Sequence, residues 1–183
     1  MSGRLRHFLM ALAGVALAAC GPAEEAPPFP HFSDEGGRVR DMAEILSPET
    51  EKDLAARLER AETLYGQELG IVTVDSLHGY SIEDFSLQYA NAWGLGSKDR
   101  DDGLLVLVAP NERKVRIEVG RGLETTFPDP FAQNVVDAML PFFRERDYDT
   151  GVTAAVEFLI ARMRQYPSRP ANDNASEVQE DAA

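Results

Sequence analysis

Cysteine is nearly absent from this 183-residue chain: Cys20 is the only one. No disulfide, thiolate nucleophile or cysteine metal site can therefore form beyond it, and a hydrophobic core has to hold the fold. Histidine is scarce too. His7 and His31 fall in the N-terminal segments, which leaves His78, beside Gly79, as an expected exposed loop residue. No serine stands in a nucleophile-elbow sequence, which disfavours triad hydrolysis. Basic charge is also short, since 18 Lys and Arg face 31 Asp and Glu for a formal net of −13. That balance argues against nucleic acid and against a polybasic membrane patch, and it repels phosphate-bearing substrates unless a metal ion intervenes. The apolar run at the N-terminus, Phe8 to Ala18, is well short of the ~20 residues a spanning helix needs.

What that run does fit is a signal peptide. Arg4 and Arg6 precede it, and it ends in Leu17-Ala18-Ala19-Cys20-Gly21. Small residues before a cysteine at this place look like a bacterial lipobox. Residues 1–19 are then a lipoprotein signal peptide, and Cys20 becomes the new N-terminus with lipid on its thiol. The plainer alternative is an ordinary signal peptide whose cleavage site contains a cysteine. Without Arg4 and Arg6, sixteen basic residues face thirty-one acidic ones, a net of −15. Gly21 rather than Asp after the cysteine points to an outer membrane as the destination, with the protein facing the periplasm. Residues 20–36 hold four prolines and four acids and read as a flexible tether. Residues 167–183 are polar, lack apolar periodicity and are expected to be disordered. One domain, 37–166, lies between.

Within that domain the pattern is regular. Ser47-Pro48 opens a helix in which Leu54, Leu58, Ala61 and Tyr65 recur at helical spacing until Gly66. Gly70 to Val74 is a short strand. Ser81, with Asp84 completing a capping box, opens a second helix lined by Ile82, Phe85, Tyr89 and Trp93. Helical spacing makes Trp93 a core residue rather than a binding aromatic. Leu104 to Ala109 is a six-residue apolar run, the mark of a strand buried on both faces. Val115, Ile117 and Val119 alternate with Arg116 and Glu118 in a strand with one wetter face, joined to the previous one by a hairpin. A further short strand is expected at Thr125 to Phe127. Asp129-Pro130 starts a third helix that Pro141 should kink or end, and Asp149 caps a fourth. A right-handed crossover makes the first two strands parallel and the hairpin makes the third antiparallel. The expected fold is α/β, a three-layer α/β/α sandwich on a small mixed sheet.

The segment Lys98-Asp99-Arg100-Asp101-Asp102-Gly103 carries the densest charge. Hairpin topology places Asp101 and Asp102 beside Gly120-Arg121-Gly122-Leu123-Glu124, whose glycines let the backbone approach closely. Asp101, Asp102 and Glu124 facing one another, with Asp99 nearby, would repel unless a proton or a cation sat among them. A hard divalent ion, calcium or magnesium, is the natural occupant. The spacing is not that of an EF-hand. The bland alternative is a solvated acidic turn that launches the strand. Asp129 fits an N-cap better than a ligand, and Asp75 leaves its strand at the opposite end of the sheet. Gly120-x-Gly122 follows a hairpin strand and is no dinucleotide fingerprint.

Several stretches in order carry a likeness: Val39-x-Asp41-x-Ala43-x-x-Leu46-Ser47; Gly70-Ile71-Val72-Thr73-Val74; Tyr89-Ala90 with Trp93-Gly94-Leu95-Gly96; Asp101-Asp102-Gly103; and Val115-Arg116-Ile117-Glu118-Val119-Gly120-x-Gly122-Leu123-Glu124. Together they resemble the TPM domain family, found in thylakoid-lumen proteins of photosystem II repair, modulators of a neurotransmitter receptor and many bacterial envelope proteins. The resemblance implies a three-layer α/β/α sandwich, calcium or another divalent ion in some members, and weak acid-phosphatase activity in a few. Carried over by position, Asp101, Asp102 and Glu124 fall on the family's acidic motifs, and Asp41 on its leading Asp, which would otherwise cap local backbone. Long family members carry a transmembrane helix and a glycine-rich tail after the domain, whereas here the anchor is N-terminal.

Two functions follow as expectations. The first is a divalent-metal-binding interaction or assembly module for an envelope protein. The alternative is a metal-dependent acid phosphatase of low activity. Phosphoryl transfer needs positive charge around the developing equatorial oxygens. The acidic edge has only Arg100 and Arg121 at its flanks, and it lies at the amino end of the parallel strands, where ligands of open α/β sheets are seldom bound. Binding is favoured over catalysis.

Overall fold

The computed structural model describes Phe29 and residues 37–168. The expectations for the leader 1–19, the lipid on Cys20 and the tail from Arg169 onward lie outside these residues, as does nearly all of the tether. The exception is Phe29, whose ring packs 5.1 Å from Phe85 and 5.8 Å from Tyr80.

The element order is β1 (Val39–Asp41), α1 (Pro48–Tyr65), β2 (Glu68–Thr73), α2 (Ile82–Trp93), β3 (Gly103–Ala109), β4 (Lys114–Val119), a 3-10 turn (Arg121–Leu123), α3 (Asp129–Arg144) and α4 (Tyr148–Gln165). The strands lie in the order β1-β2-β3-β4. The first three are parallel, and β4 is antiparallel to β3, as the hairpin requires. All seven residues of β3 are buried, as expected of a central strand covered on both faces. One face, carrying Ile71, Val106 and Ile117, packs on α1, α3 and α4; the other, carrying Val72, Leu105 and Leu107, packs on α2. This is the α/β/α layering expected.

Local chemistry accounts for most element ends. Ser47 caps α1 by accepting from the Thr50 amide, and Gly66 stops it in the left-handed region at φ 84°. Ser81 caps α2 through the Asp84 amide, and Gly94 ends it.

Four expectations need correction, and one strand was not expected. β1 was not foreseen: three residues with Arg40 at the centre show no alternation to read. Thr125 to Phe127 forms a turn, not a strand, because the Thr126 and Phe127 amides both return to the Leu123 carbonyl. Of the two outcomes expected at Pro141, ending the helix does not occur, since α3 continues to Arg144. Asp147, not Asp149, caps α4, while the Asp149 carboxylate accepts the Ser47 amide at 2.9 Å and ties α4 to the start of α1. Pro128, not Asp129, holds the N-cap position of α3. The wetter face of β4 is also less wet than its alternation implied. Arg116 and Glu118 pair at 2.8 Å, and Glu118 takes the hydroxyl of fully buried Ser86 on α2 at 2.7 Å.

Candidate functional site

The two loops expected to meet do share one rim. The Gly120 amide donates to the Gly103 carbonyl at 2.8 Å and the Gly122 amide to the Asp101 carbonyl at 3.0 Å. A Cβ at Gly122 would collide with the Arg100 carbonyl oxygen, and one at Gly120 with that of Asp101. Absence of a side chain is what allows this approach.

Asp102 is the centre of the rim and is only 1% exposed. One oxygen of its carboxylate accepts the Ser97 amide at 2.9 Å and the Ser97 hydroxyl at 3.2 Å. The other accepts Arg100 Nε at 2.6 Å. That bond, reinforced by the attraction of the two charges, raises the pKa of Arg100 above its ordinary value. Glu68 repeats the pattern next door: its carboxylate accepts the Gly96 amide at 3.0 Å and Arg38 Nη1 at 3.1 Å. Two guanidinium groups thus supply, from within the chain, positive charge to buried Asp102 and half-buried Glu68.

The other candidate ligands stand apart from this arrangement. Asp99, Asp101 and Glu124 are exposed. Among the described residues no three His, Cys, Asp or Glu side chains are gathered so as to hold a metal ion. The facing of Asp101, Asp102 and Glu124 is therefore corrected: the backbones converge while the carboxylates do not form one group. The donor set does not fit a calcium ion as it stands, because the one buried carboxylate is saturated by Ser97 and Arg100. Counting acids made Arg100 a flanking residue, when it is the cation that closes over Asp102. Arg38 and Glu68 had no signal, since they meet only once β1 is known to exist.

Asp41 has a local role. Its carboxylate accepts the Ile45 amide at 3.2 Å, the Leu46 amide at 2.8 Å and the Thr73 hydroxyl. It shapes the loop after β1, at the edge of the sheet opposite the acid rim. Trp93 is half-buried, edge-on to Tyr89, with the Arg40 guanidinium 3.9 Å above its ring. His78 is exposed, at φ 50°.

Comparison with known proteins fits this architecture. No curated protein matches the chain. Among solved structures, the N-terminal domain of a P. gingivalis protein is 30% identical, with TM-score 0.66 over 72% of this chain and 86% of that one. The N-terminal domain of a Corynebacterium glutamicum protein (18% identical, TM-score 0.55, 74% and 84% covered) and a protein of the psychrophilic bacterium Bizionia argentinensis (17%, 0.60, 69% and 87%) share the fold. The family model of the TPM domain matches residues 39–162, from the first strand nearly to the end of the last helix. The chain belongs to the TPM domain family.

Proposed function

We propose that this TPM domain is an interaction module of a bacterial cell envelope, held at the periplasmic face of a membrane by the lipid on Cys20 and docking on an envelope protein whose assembly or turnover it assists. The observation that carries the reading is the state of Asp102. A carboxylate that is buried and bonded on both oxygens is unavailable as general base or nucleophile, and its work is to fasten two loops. Those loops present Asp99, Asp101, Arg121 and Glu124, all exposed, as a mixed-charge surface. Such a surface gives a partner charge complementarity and orientation. No helix among the described residues is long and apolar enough to cross a membrane; attachment in this reading rests on the lipid at Cys20. Calcium has no ready-made cage at this rim; to enter, it would have to displace Arg100 from Asp102.

The test is crosslinking in native envelopes, comparing wild type with an Asp99→Arg, Asp101→Arg, Glu124→Arg triple variant. One recurrent crosslinked protein, lost in the variant, supports the reading. An unchanged crosslinking pattern overturns it. So does hydrolysis of p-nitrophenyl phosphate by wild type that disappears in Asp101→Asn, which would establish the phosphatase instead. Fractionation of Cys20→Ser addresses the anchor: release into the soluble envelope fraction is expected, and retention on the membrane counts against it.

A further inference from the structure

The carboxyl edge of the parallel strands has the opposite chemistry. Where β3 turns into β4 and α3 into α4, a cleft of about 710 Å³ opens. That is within the ~300–1,000 Å³ range of small-ligand pockets, and the carboxyl edge is where open α/β sheets bind their ligands. Arg113, Lys114, Arg144 and Arg146 line it, against a single acid, Asp75. In a chain of 31 acids and 18 bases this is a local reversal of sign.

The cations are not balanced internally. None of the four has an ion-pair partner among the described residues. Three of the nearby acids are engaged elsewhere: Glu112 accepts the Leu77 amide at 2.8 Å, Asp147 the Thr150 amide at 3.1 Å and Asp149 the Ser47 amide. Phe143 and Tyr148, with rings 5.1 Å apart and tilted by 53°, add an aromatic wall to the same cleft.

Backbone conformation adds a second observation. Arg113 at φ 54° and Arg146 at φ 61° both hold the left-handed region, which disfavours any residue with a Cβ. The turns they occupy explain the positive φ. They do not explain arginine, since glycine would meet the same geometry without strain.

We propose that this cleft binds a small oxyanionic ligand with at least two negative charges on an aromatic or apolar body. The guanidinium forks of Arg113, Arg144 and Arg146 would hold the oxyanion and Lys114 would add charge, while the body lies along Phe143 and Tyr148. A phosphate monoester and an aromatic dicarboxylate share that chemistry. The site is independent of the docking surface at the other edge, so either can fail alone.

The experiment is calorimetric titration of the full-length protein in detergent, at low ionic strength, with phenyl phosphate and with benzene-1,3-dicarboxylate. Inorganic phosphate serves as the control without an aromatic body. The variants Arg113→Gly and Arg146→Gly remove one charge each at positions where glycine is unstrained, so the protein stays folded and its melting temperature holds or rises. Binding of either aromatic anion, weakened about tenfold or more in each variant, supports the site, and the better binder of the two identifies the source of the oxyanion. Absence of binding by both anions overturns it. Equal affinity for inorganic phosphate, or affinity unchanged in both variants, also overturns it.

Discussion

The two ends of β3 handle charge in opposite ways. At the amino end, Asp102 and Glu68 meet Arg100 and Arg38, and each carboxylate also takes a backbone amide. At the carboxyl end, four cations face an open cleft without ion-pair partners among the described residues. The lesson is that density of charged residues is a poor guide to chemistry. Charges matched within the chain hold loops together, and charges left unmatched around a concavity remain available to something outside it.

The comparison breaks most readily at Asp102. Replacing it by alanine takes the acceptor from the Ser97 amide and leaves a gap where the buried carboxylate stood, while Arg100, whose side chain is 36% exposed, turns to water. The loss should be about 2 kcal/mol of stability. Asp99→Ala, three residues earlier and exposed, should cost no more than ~0.5 kcal/mol. Urea denaturation of the two variants measures the contrast. Equal, small effects would mean that Asp102 is no linchpin and that its carboxylate is free for other work.

A loss of similar size is expected where the loops approach each other most closely. Gly122→Ala puts a methyl group into the Arg100 carbonyl, and separating the two loops to admit it should cost about 2 kcal/mol. The same substitution at Gly37, where a Cβ meets nothing within 4 Å, is the control and should be close to neutral. A neutral Gly122→Ala would show that the 3-10 turn can swing away from the rim, which would weaken the claim of one rigid docking surface.

Legibility in the sequence follows the range of the forces involved. Helix ends at Ser47, Gly66, Ser81 and Gly94 could be read because the capping bonds span only a few residues. The buried strand from Leu104 to Ala109 could be read because both faces are covered and every position is apolar. The meeting of the two loops followed from hairpin topology alone. What was hidden depends on side-chain direction. Whether Asp102 points at solvent or back at Ser97 and Arg100 is decided by the turn at Ser97 to Asp101, where the Arg100 and Asp101 amides both return to the Ser97 carbonyl. The basic cleft was hidden because Arg113 and Arg146 lie 33 residues apart in the chain, and only the stacking of α3 and α4 against the hairpin brings them together. β1 is too short to show any period.

The smallest effect sharpens the picture of the carboxyl end, where acids are present but stand behind the cleft at the start of α1. Glu51 has its pKa raised from its ordinary 4.5, by partial burial first and then by the charges of Asp41 and Asp149. The unfolded chain therefore releases this proton at lower pH than the folded protein does. Glu51 lowers stability progressively as pH rises from the unfolded pKa through the folded one, and the loss persists above that window. Glu51→Gln should match wild type in melting temperature near pH 3.5, where both side chains are neutral, and exceed it slightly near pH 7. The gain is small because solvent screens a side chain this accessible, and because a negative charge in the first turn of α1 is itself favoured by the helix dipole. A Gln variant less stable than wild type at neutral pH would mean that the dipole outweighs the repulsion from Asp41 and Asp149. Those two carboxylates would then be too well neutralised by the amides of Ile45, Leu46 and Ser47 to be felt at Glu51. The carboxylates beside the start of α1 would then be absorbed by backbone amides, as Asp102 is in part at the amino end.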